Sequence, residues 1–304
     1  MANFCEYFKG IGVNEPLFSV LESIKKSVRL ISEQIKKVDT GKAGTKNVYG
    51  EDQLALDVLA DKIIQDEFKQ NFLIGLIASE ELPNEIKLGD GEYAVCYDPL
   101  DGSSLVDVNL AVGSIFGIYK ANSFIGRTGR EQVAAVIAIY GPRTTLLVTT
   151  GDGVVEFRLT DEPRFILSKK NIRIEEGKMF APGNLRAVRE RKDYLELVQW
   201  WMNEGYTLRY SGGMVPDVNQ IFLKGKGIFA YPGYSECPQG KLRLLFECAP
   251  MAFLMEQAGG AASDGRMSIL DQKVEHLEQR TPIYIGAKKE VKRCERKLGN
   301  WEMS

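Results

Sequence analysis

The segment Tyr93-Ala94-Val95-Cys96-Tyr97-Asp98-Pro99-Leu100-Asp101-Gly102-Ser103-Ser104 runs as a short apolar strand to an aspartate, turns through a proline, offers a second aspartate and then frees its backbone with a glycine and two serines. Asp98 and Asp101 carry the hard carboxylate oxygens that Mg²⁺ prefers. Behind them, Gly102, Ser103 and Ser104 can turn backbone N–H groups and hydroxyls toward a phosphate held by the same ion. Phosphoryl chemistry is the first expectation. Asp-Pro and Asp-Gly also make ordinary turns, so two aspartates alone do not decide the matter. More acids follow the same logic. The run Leu73-Ile74-Gly75-Leu76-Ile77-Ala78-Ser79 reads as a buried strand that stops at Glu80-Glu81, where adjacent like charges need water or a cation. Asp57 is flanked by Leu56 and Val58, beside an apolar stripe. Glu247 follows Leu244-Leu245-Phe246 at the head of an apolar stretch that reaches Met255; alone, it would read as a helix-start charge.

These groups need elements to bring them together. Leu17, Leu21, Ile24, Val28, Ile31 and Ile35 recur at helical spacing and predict a helix from about Glu15 to Val38, followed by a Gly/Thr/Lys-rich loop from Thr40 to Gly50. The spacing of Leu54, Val58, Leu59, Ile63 and Phe68 predicts a helix from Glu51 to Lys69 with those residues toward a core, and Asp61, Asp66 and Glu67 on its solvated face. Strand-like runs follow at Gly113–Lys120, Gln132–Tyr140, Thr144–Thr149 and Val154–Leu159, joined by the short turns Gly141-Pro142 and Gly151-Asp152-Gly153. Such turns predict a largely antiparallel or mixed sheet. From about Lys178 helix and strand alternate: helical at Asp193–Asn203, Leu244–Gln257 and Ala287–Leu298, extended at Leu208–Ser211, Gly227–Tyr231 and Pro282–Gly286. The change falls near Ile174–Lys178, dividing the chain into residues 1–176, with most of the candidate site carboxylates, and 177–304, with most of the candidate basic and hydroxyl-bearing site residues. A substrate site at the seam follows.

Composition narrows the classes. A chain of 304 residues can bury a sizeable core, and 44% hydrophobic with 26% charged residues is the make-up of a globular protein. The net charge of −2, without a basic cluster, points away from nucleic acid and anionic membranes. No apolar run approaches transmembrane length, and Met1-Ala2-Asn3-Phe4-Cys5-Glu6 has neither signal-peptide nor transit-peptide character, so a cytoplasmic location is expected, or a plastid if a transit peptide has been removed. Cys5, Cys96, Cys237, Cys248 and Cys294 are odd in number and scattered, which reads as reduced thiols. The single histidine, His276, is the one residue that phosphohistidine chemistry or a His-assisted serine nucleophile could use, and the run Lys273 to Gln279 around it reads as an exposed amphipathic segment, which argues against both.

Together the acidic segments resemble a family, the magnesium-dependent sugar bisphosphatases acting on fructose 1,6-bisphosphate and sedoheptulose 1,7-bisphosphate. The resemblance covers about residues 46–290 and rests on Asp52-Gln53-Leu54-Ala55-Leu56-Asp57, Ser79-Glu80-Glu81, Asp98 to Ser104, Gly113 to Tyr119 and Gly240 to Glu247. The segments Tyr206 to Ile221 and Phe180 to Arg186 look more like the sedoheptulose enzymes. The implied fold is α/β, a layered αβαβα sandwich of two mixed sheets with helices between and outside. The implied reaction is hydrolysis of the 1-phosphate of sedoheptulose 1,7-bisphosphate, with fructose 1,6-bisphosphate as the alternative substrate.

On this resemblance Glu80, Asp98, Asp101, Glu247 and the Leu100 carbonyl, with either Glu51 or Asp52, hold two or three Mg²⁺ per subunit, or Mn²⁺ in their place. Glu81 paired with Asp57 takes the proton from the attacking water. Ser103, Ser104 and Arg243, with Gly102, neutralise charge on the transferred phosphoryl group. Asn184, Tyr210 and Tyr231 hold the distal phosphate and Lys241 contacts the sugar, while Arg186 and the Gly212-Gly213 step adapt the site to a longer sugar. Arg209 matches an arginine that reaches in from a neighbouring subunit, so a homodimer or homotetramer is implied. Two departures stand out: the spacing from Asp52 to Asp57 is one residue shorter than in the fructose enzymes, and Glu92 replaces a lysine of the AMP-regulated ones. Two other functions remain open. Cys237-Pro238-Gln239-Gly240-Lys241-Leu242-Arg243 has the spacing of a cysteine-dependent phosphatase loop, although Glu236 beside the thiol would repel phosphate and raise its pKa. A sugar-phosphate-binding regulator without turnover is the other.

Overall fold

The computed structural model describes residues 2–37, 42–46 and 52–301, of which 42–46 and 52–54 are described by their backbone alone. In chain order the elements are α1 (Phe4–Gly10), α2 (Glu15–Ile35), β1 (Lys42–Lys46), β2 (Asp52–Leu54), α3 (Ala55–Lys69), β3 (Ile74–Ser79), β4 (Ile86–Lys87), β5 (Tyr93–Asp101), β6 (Val112–Tyr119), β7 (Gln132–Tyr140), β8 (Thr144–Thr149), β9 (Val155–Leu159), β10 (Phe165–Lys169), β11 (Met179–Pro182), α4 (Lys192–Asn203), β12 (Thr207–Leu208), α5 (Met214–Lys224), β13 (Ile228–Tyr231), α6 (Ala249–Gln257), β14 (Ala261–Ser263), β15 (Ile283–Gly286) and α7 (Lys288–Leu298). The larger sheet has strand order β10-β9-β8-β7-β6-β5-β3-β4, antiparallel except for the parallel pair β3–β5. The smaller has order β12-β11-β13-β15-β14, with β11 parallel to both of its neighbours and β15 antiparallel to both of its own.

Alternation along the strands builds the layers. In β5, Tyr93, Val95 and Tyr97 pack with α1, α2 and α3 on one side, whereas Ala94 and Cys96 face a middle core containing α5 and α6. In the smaller sheet, Phe229, Ile283 and Ile285 face the same middle core, while Phe180, Ile228, Ala230 and Tyr284 face α4 and α7. This is the expected αβαβα sandwich of two mixed sheets. Each sheet is buried on both faces, so its central strands read as continuous apolar runs.

Local signals explain most elements. Asn14 caps α2 by accepting the Leu17 N–H at 2.8 Å, with Pro16 in the first turn. The sequence reading passed over α1, yet Asn3 and Glu6 form a capping box there, and Phe4 and Phe8 pack on Phe157 with ring centroids 4.8 and 5.6 Å apart. It also passed over α5, which Gly225 ends in the left-handed conformation at φ 67°.

Two corrections concern the acidic segment. Part of the expected loop pairs as β1 with β2, and the helix starts at Ala55, not Glu51. The buried stripe of α3 is Leu56, Ala60, Ile64 and Phe68, which leaves Val58 42% exposed and turns Asp57 and Asp61 inward. The small Ala60 side chain lets the helix settle on that face, and hydropathy alone gives it little weight. Glu51 and the stretches 38–41 and 47–50 of the expected helix end and loop lie outside the described residues.

Gly113 on β6 lies opposite Asp101, and a Cβ there would collide with Val215 of α5 and the Ala138 carbonyl. Gly113→Ala is expected to cost about 1–3 kcal/mol, the usual penalty of overpacking, and to lower the thermal midpoint by several degrees in calorimetry.

Candidate active site

A regular strand sends residues three apart to opposite faces, which would separate Asp98 from Asp101. Between them β5 carries a bulge: Asp98 pairs with Ile115 and Asp101 with Gly113, so three steps on one strand match two on its partner. The extra residue brings both carboxyl groups to the middle layer. Asp98 Oδ1 accepts the Leu100 N–H at 2.9 Å and Asp101 Oδ2 accepts the Val215 N–H at 2.7 Å from the first turn of α5. Ser114 Oγ donates to the Pro99 carbonyl at 2.7 Å and closes the turn from beneath.

Glu247 enters from the other side of the middle layer. The segment Leu244–Cys248, expected as ordinary α-helix, is a π-turn in which the Cys248 N–H reaches the Arg243 carbonyl at 3.0 Å before α6 begins. Such a widened turn displaces one residue from the α-helical track. Glu247 Oε2 accepts the Arg243 N–H at 2.5 Å. Ligand oxygens of Asp98, Asp101 and Glu247 lie within 4.8 Å of one another, all three side chains buried. Burial and mutual repulsion push Asp98 and Glu247 well above the usual carboxylate range. Asp101 is pushed up to about 7, chiefly by burial, against the stabilising Val215 N–H.

Glu80 follows Ser79 and by alternation also faces the middle layer. Its charge raises the pKa of Asp98, Asp101 and Glu247, and its Oε1 is ion-paired with the buried Arg243 guanidinium; it is not among the three acids whose oxygens all lie within 4.8 Å of one another. Asp57, Glu81, Leu100, Gly102, Ser103, Ser104, Tyr210, Gly212, Tyr231 and Lys241 line the same cleft of about 340 Å³. Gly102, at φ 76°, turns the chain into the short 3-10 segment Ser103–Val108.

Three of the remaining site residues stand outside that lining. Asn184 donates through Nδ2 to the Pro232 carbonyl at 3.0 Å, and its backbone lies close enough to Tyr210 to lower the pKa of that hydroxyl against the upward push of burial. Arg186 is exposed, close enough to lower the pKa of Tyr210 and Tyr231 against the upward push of burial. Arg209 is exposed and donates to the Leu208 carbonyl at 3.1 Å. The structure describes Asp52 by its backbone alone.

Sequence reasoning missed two acids. Asp217, in the first turn of α5, is buried, accepts the Ser211 N–H at 2.8 and 3.1 Å and is raised to about 6 by burial. It ties down the Ser211–Gly213 wall of the cleft. Asp61, expected in solvent, is buried and accepts hydroxyl hydrogen bonds from Ser79 and Tyr97. Only the true phase of α3 would have found it. Gly213, Met214, Phe229 and Leu242 also line the cleft.

The cysteine alternative fares badly. A phosphate loop must aim its amides at the anion, yet the Cys237 and Gly240 N–H groups are spent on the Tyr234 and Cys237 carbonyls at 2.9 Å each. Arg243 turns to Glu80.

Two family models match consecutive parts of the chain: fructose-1-6-bisphosphatase, N-terminal domain, over residues 6–170, and fructose-1-6-bisphosphatase, C-terminal domain, over residues 174–299. The chain belongs to the fructose-1,6-bisphosphatase family. A class 1 fructose-1,6-bisphosphatase from Syntrophotalea carbinolica is 46% identical over 294 residues, 95% of this chain and 91% of the relative. The chloroplastic sedoheptulose-1,7-bisphosphatase of Spinacia oleracea is 43% identical over 298 residues, 96% of this chain and 77% of the relative. The holo crystal structure of Leishmania major fructose-1,6-bisphosphatase superposes with a TM-score of 0.92 at 32% identity, over 98% of this chain and 99% of that one. This member of the family is a sugar bisphosphatase, a phosphoric monoester hydrolase. Among the described residues no helix is long and apolar enough to cross a membrane.

Cys237→Ser is expected to leave kcat/KM for phosphate release within about twofold, as for surface changes away from the chemistry; a loss of turnover in the phosphate-release assay would restore the thiol mechanism.

Proposed function

We propose that this bisphosphatase removes the 1-phosphate of sedoheptulose 1,7-bisphosphate to give sedoheptulose 7-phosphate and phosphate, using Mg²⁺ or Mn²⁺. The observation that carries this reading is the convergence of Asp98, Asp101 and Glu247 within 4.8 Å at the floor of a cleft whose other wall offers Lys241, Tyr210 and Tyr231. The donors fit such ions: they are carboxylate oxygens, no histidine or cysteine is among the described lining residues, and the mutual repulsion of the buried acids asks for a cation. Asp98, Asp101 and Glu247 would hold it, with Glu80, the Leu100 carbonyl and Asp52 completing two or three sites. Bound there, the ions supply charge neutralisation at the phosphate and a lowered water pKa.

The chain's own groups do the rest. Glu81 and Asp57 accept the proton of the attacking water. Ser103 and Ser104, together with Arg243 once substrate competes for its pairing with Glu80, take up charge on the phosphoryl oxygens. Lys241 fixes the sugar. At the far end Asn184, Tyr210 and Tyr231, with Arg186 beside them, form the distal-phosphate pocket, since tyrosine hydroxyls and arginine forks suit phosphate oxygens. Arg209, exposed on this protomer, completes a neighbouring subunit's pocket in a homodimer or homotetramer. Residues 1–176 and 177–304 act as the two domains flanking the site, in a cytoplasmic enzyme. Fructose 1,6-bisphosphate is the second substrate reading, favoured by the names of relatives at 44–46% identity.

EDTA is expected to abolish phosphate release, and Asp98→Asn to lower kcat by about 10³-fold or more while the chain stays folded by circular dichroism. Metal binding competes with protons: Asp98 and Glu247 are raised well above the usual range and Asp101 to about 7, so Mn²⁺ affinity measured by calorimetry is expected to weaken by at least about tenfold per unit as pH falls below about 7. Side-by-side kcat/KM values decide the sugar, and Arg186→Ala is expected to penalise the seven-carbon substrate more, by about tenfold, as for loss of one charged hydrogen-bond donor. A preference for the fructose substrate would leave only the second reading.

A further inference from the structure

We propose that Asp61 is a positioning residue for the catalytic carboxylates, acting from the outer helical layer on the strand ends that carry Glu80, Glu81 and Asp98. The proposal rests on the bisphosphatase reading for what those carboxylates do. Asp61 lies one helical turn beyond Asp57 on α3, so the two share a face, and Asp57 lines the cleft. Asp61 is only 7% exposed. Its Oδ1 accepts the Ser79 hydroxyl at 2.7 Å and the Tyr97 hydroxyl at 3.0 Å, and its Oδ2 accepts Gln65 Nε2 at 2.7 Å.

Ser79 and Tyr97 face each other across the parallel β3–β5 pair, at the end of one strand and one residue before Asp98 on the other. Both are tied onward into the site. The Glu80 N–H donates to the Tyr97 carbonyl at 3.1 Å, and the Glu81 N–H donates to Ser79 Oγ at 3.2 Å. Pleating puts Ser79 and Tyr97 on the α3 side and Glu80 and Asp98 on the middle-layer side. One buried carboxylate oxygen therefore references acids from a helix and two strands to a common point. Losing it frees both strand ends to shift by the fraction of an ångström that catalytic geometry does not tolerate.

The test compares wild type with Asp61→Ala, Asp61→Asn and the double variant Ser79→Ala with Tyr97→Phe, by Mn²⁺ titration in electron paramagnetic resonance, thermal melting, and kinetics on both ketose bisphosphates at saturating Mg²⁺. Asp61→Ala is expected to weaken Mn²⁺ binding and lower kcat by about 10–100-fold each, the usual effect of removing a group that orients ligands, with KM changed less than about threefold. Asp61→Asn keeps an acceptor for both hydroxyls and recovers most of the loss. A folded Asp61→Ala with wild-type affinity and kcat, or an Asn variant no better than Ala, overturns the proposal. Should Asp61→Ala fail to fold, the double variant decides: lowered kcat and affinity uphold positioning, and wild-type values for both overturn it. A wild-type chain that binds Mn²⁺ but hydrolyses neither sugar defeats the bisphosphatase reading alone, and the Mn²⁺ series still judges Asp61.

Discussion

Carboxyl groups crowded together out of water repel one another, and a folded chain must supply the force that keeps them there. Asp98, Asp101 and Glu247 share a space within 4.8 Å, each raised above its ordinary pKa by burial and by its neighbours. The local irregularities of the fold cluster around that constraint: a bulge that turns Asp101 to the same side as Asp98, a left-handed Gly102, and a π-turn that carries Glu247. Each departs from regular geometry where a regular element would have sent a side chain elsewhere. Their joint cost is met by the large apolar layers on either side.

Those layers also hold the strands that carry the site. The larger sheet is packed on both faces, by α1 to α3 outside and by α5 and α6 inside, so the ends of β3 and β5 cannot drift independently. Polar ties finish the positioning. Val215 holds Asp101 from α5, Arg243 holds Glu80 and Glu247, and Asp217 holds the Ser211–Gly213 wall. Negative charge is concentrated at the floor of the cleft, and Lys241, Tyr210 and Tyr231 stand on its other wall. Hydrolysis of a sugar bisphosphate uses both, because the reacting phosphate needs cations and the distal one needs fixed donors.

Legibility in the sequence followed the range of the interactions. The strands Gln132–Tyr140 and Thr144–Thr149 were read to the residue, because their apolar runs and bounding turns are local. The family was legible for a similar reason, since Asp98 to Ser104 and Lys241 to Glu247 each keep their chemistry within a few consecutive residues. The phase of α3 was not, because Leu56 and Val58 are equally apolar and only contact with the sheet chooses between them. The same error sent Asp61 into solvent. Asp217 was invisible because its partner, Ser211, matters only once α5 packs beside Asp101.

From the chain alone came the residue types, the strand ends on which the acids stand, and the oxygen-rich chemistry that follows from them. Tertiary structure alone decided which acids meet. Spacing along a strand assigns Asp98 and Asp101 to opposite faces, and only the family resemblance, not any local pattern, brings Glu247, some 150 positions away, to them. That outcome depends on the register of β5 against β6 and on the packing of a π-turn in the middle layer, both set by contacts among distant segments.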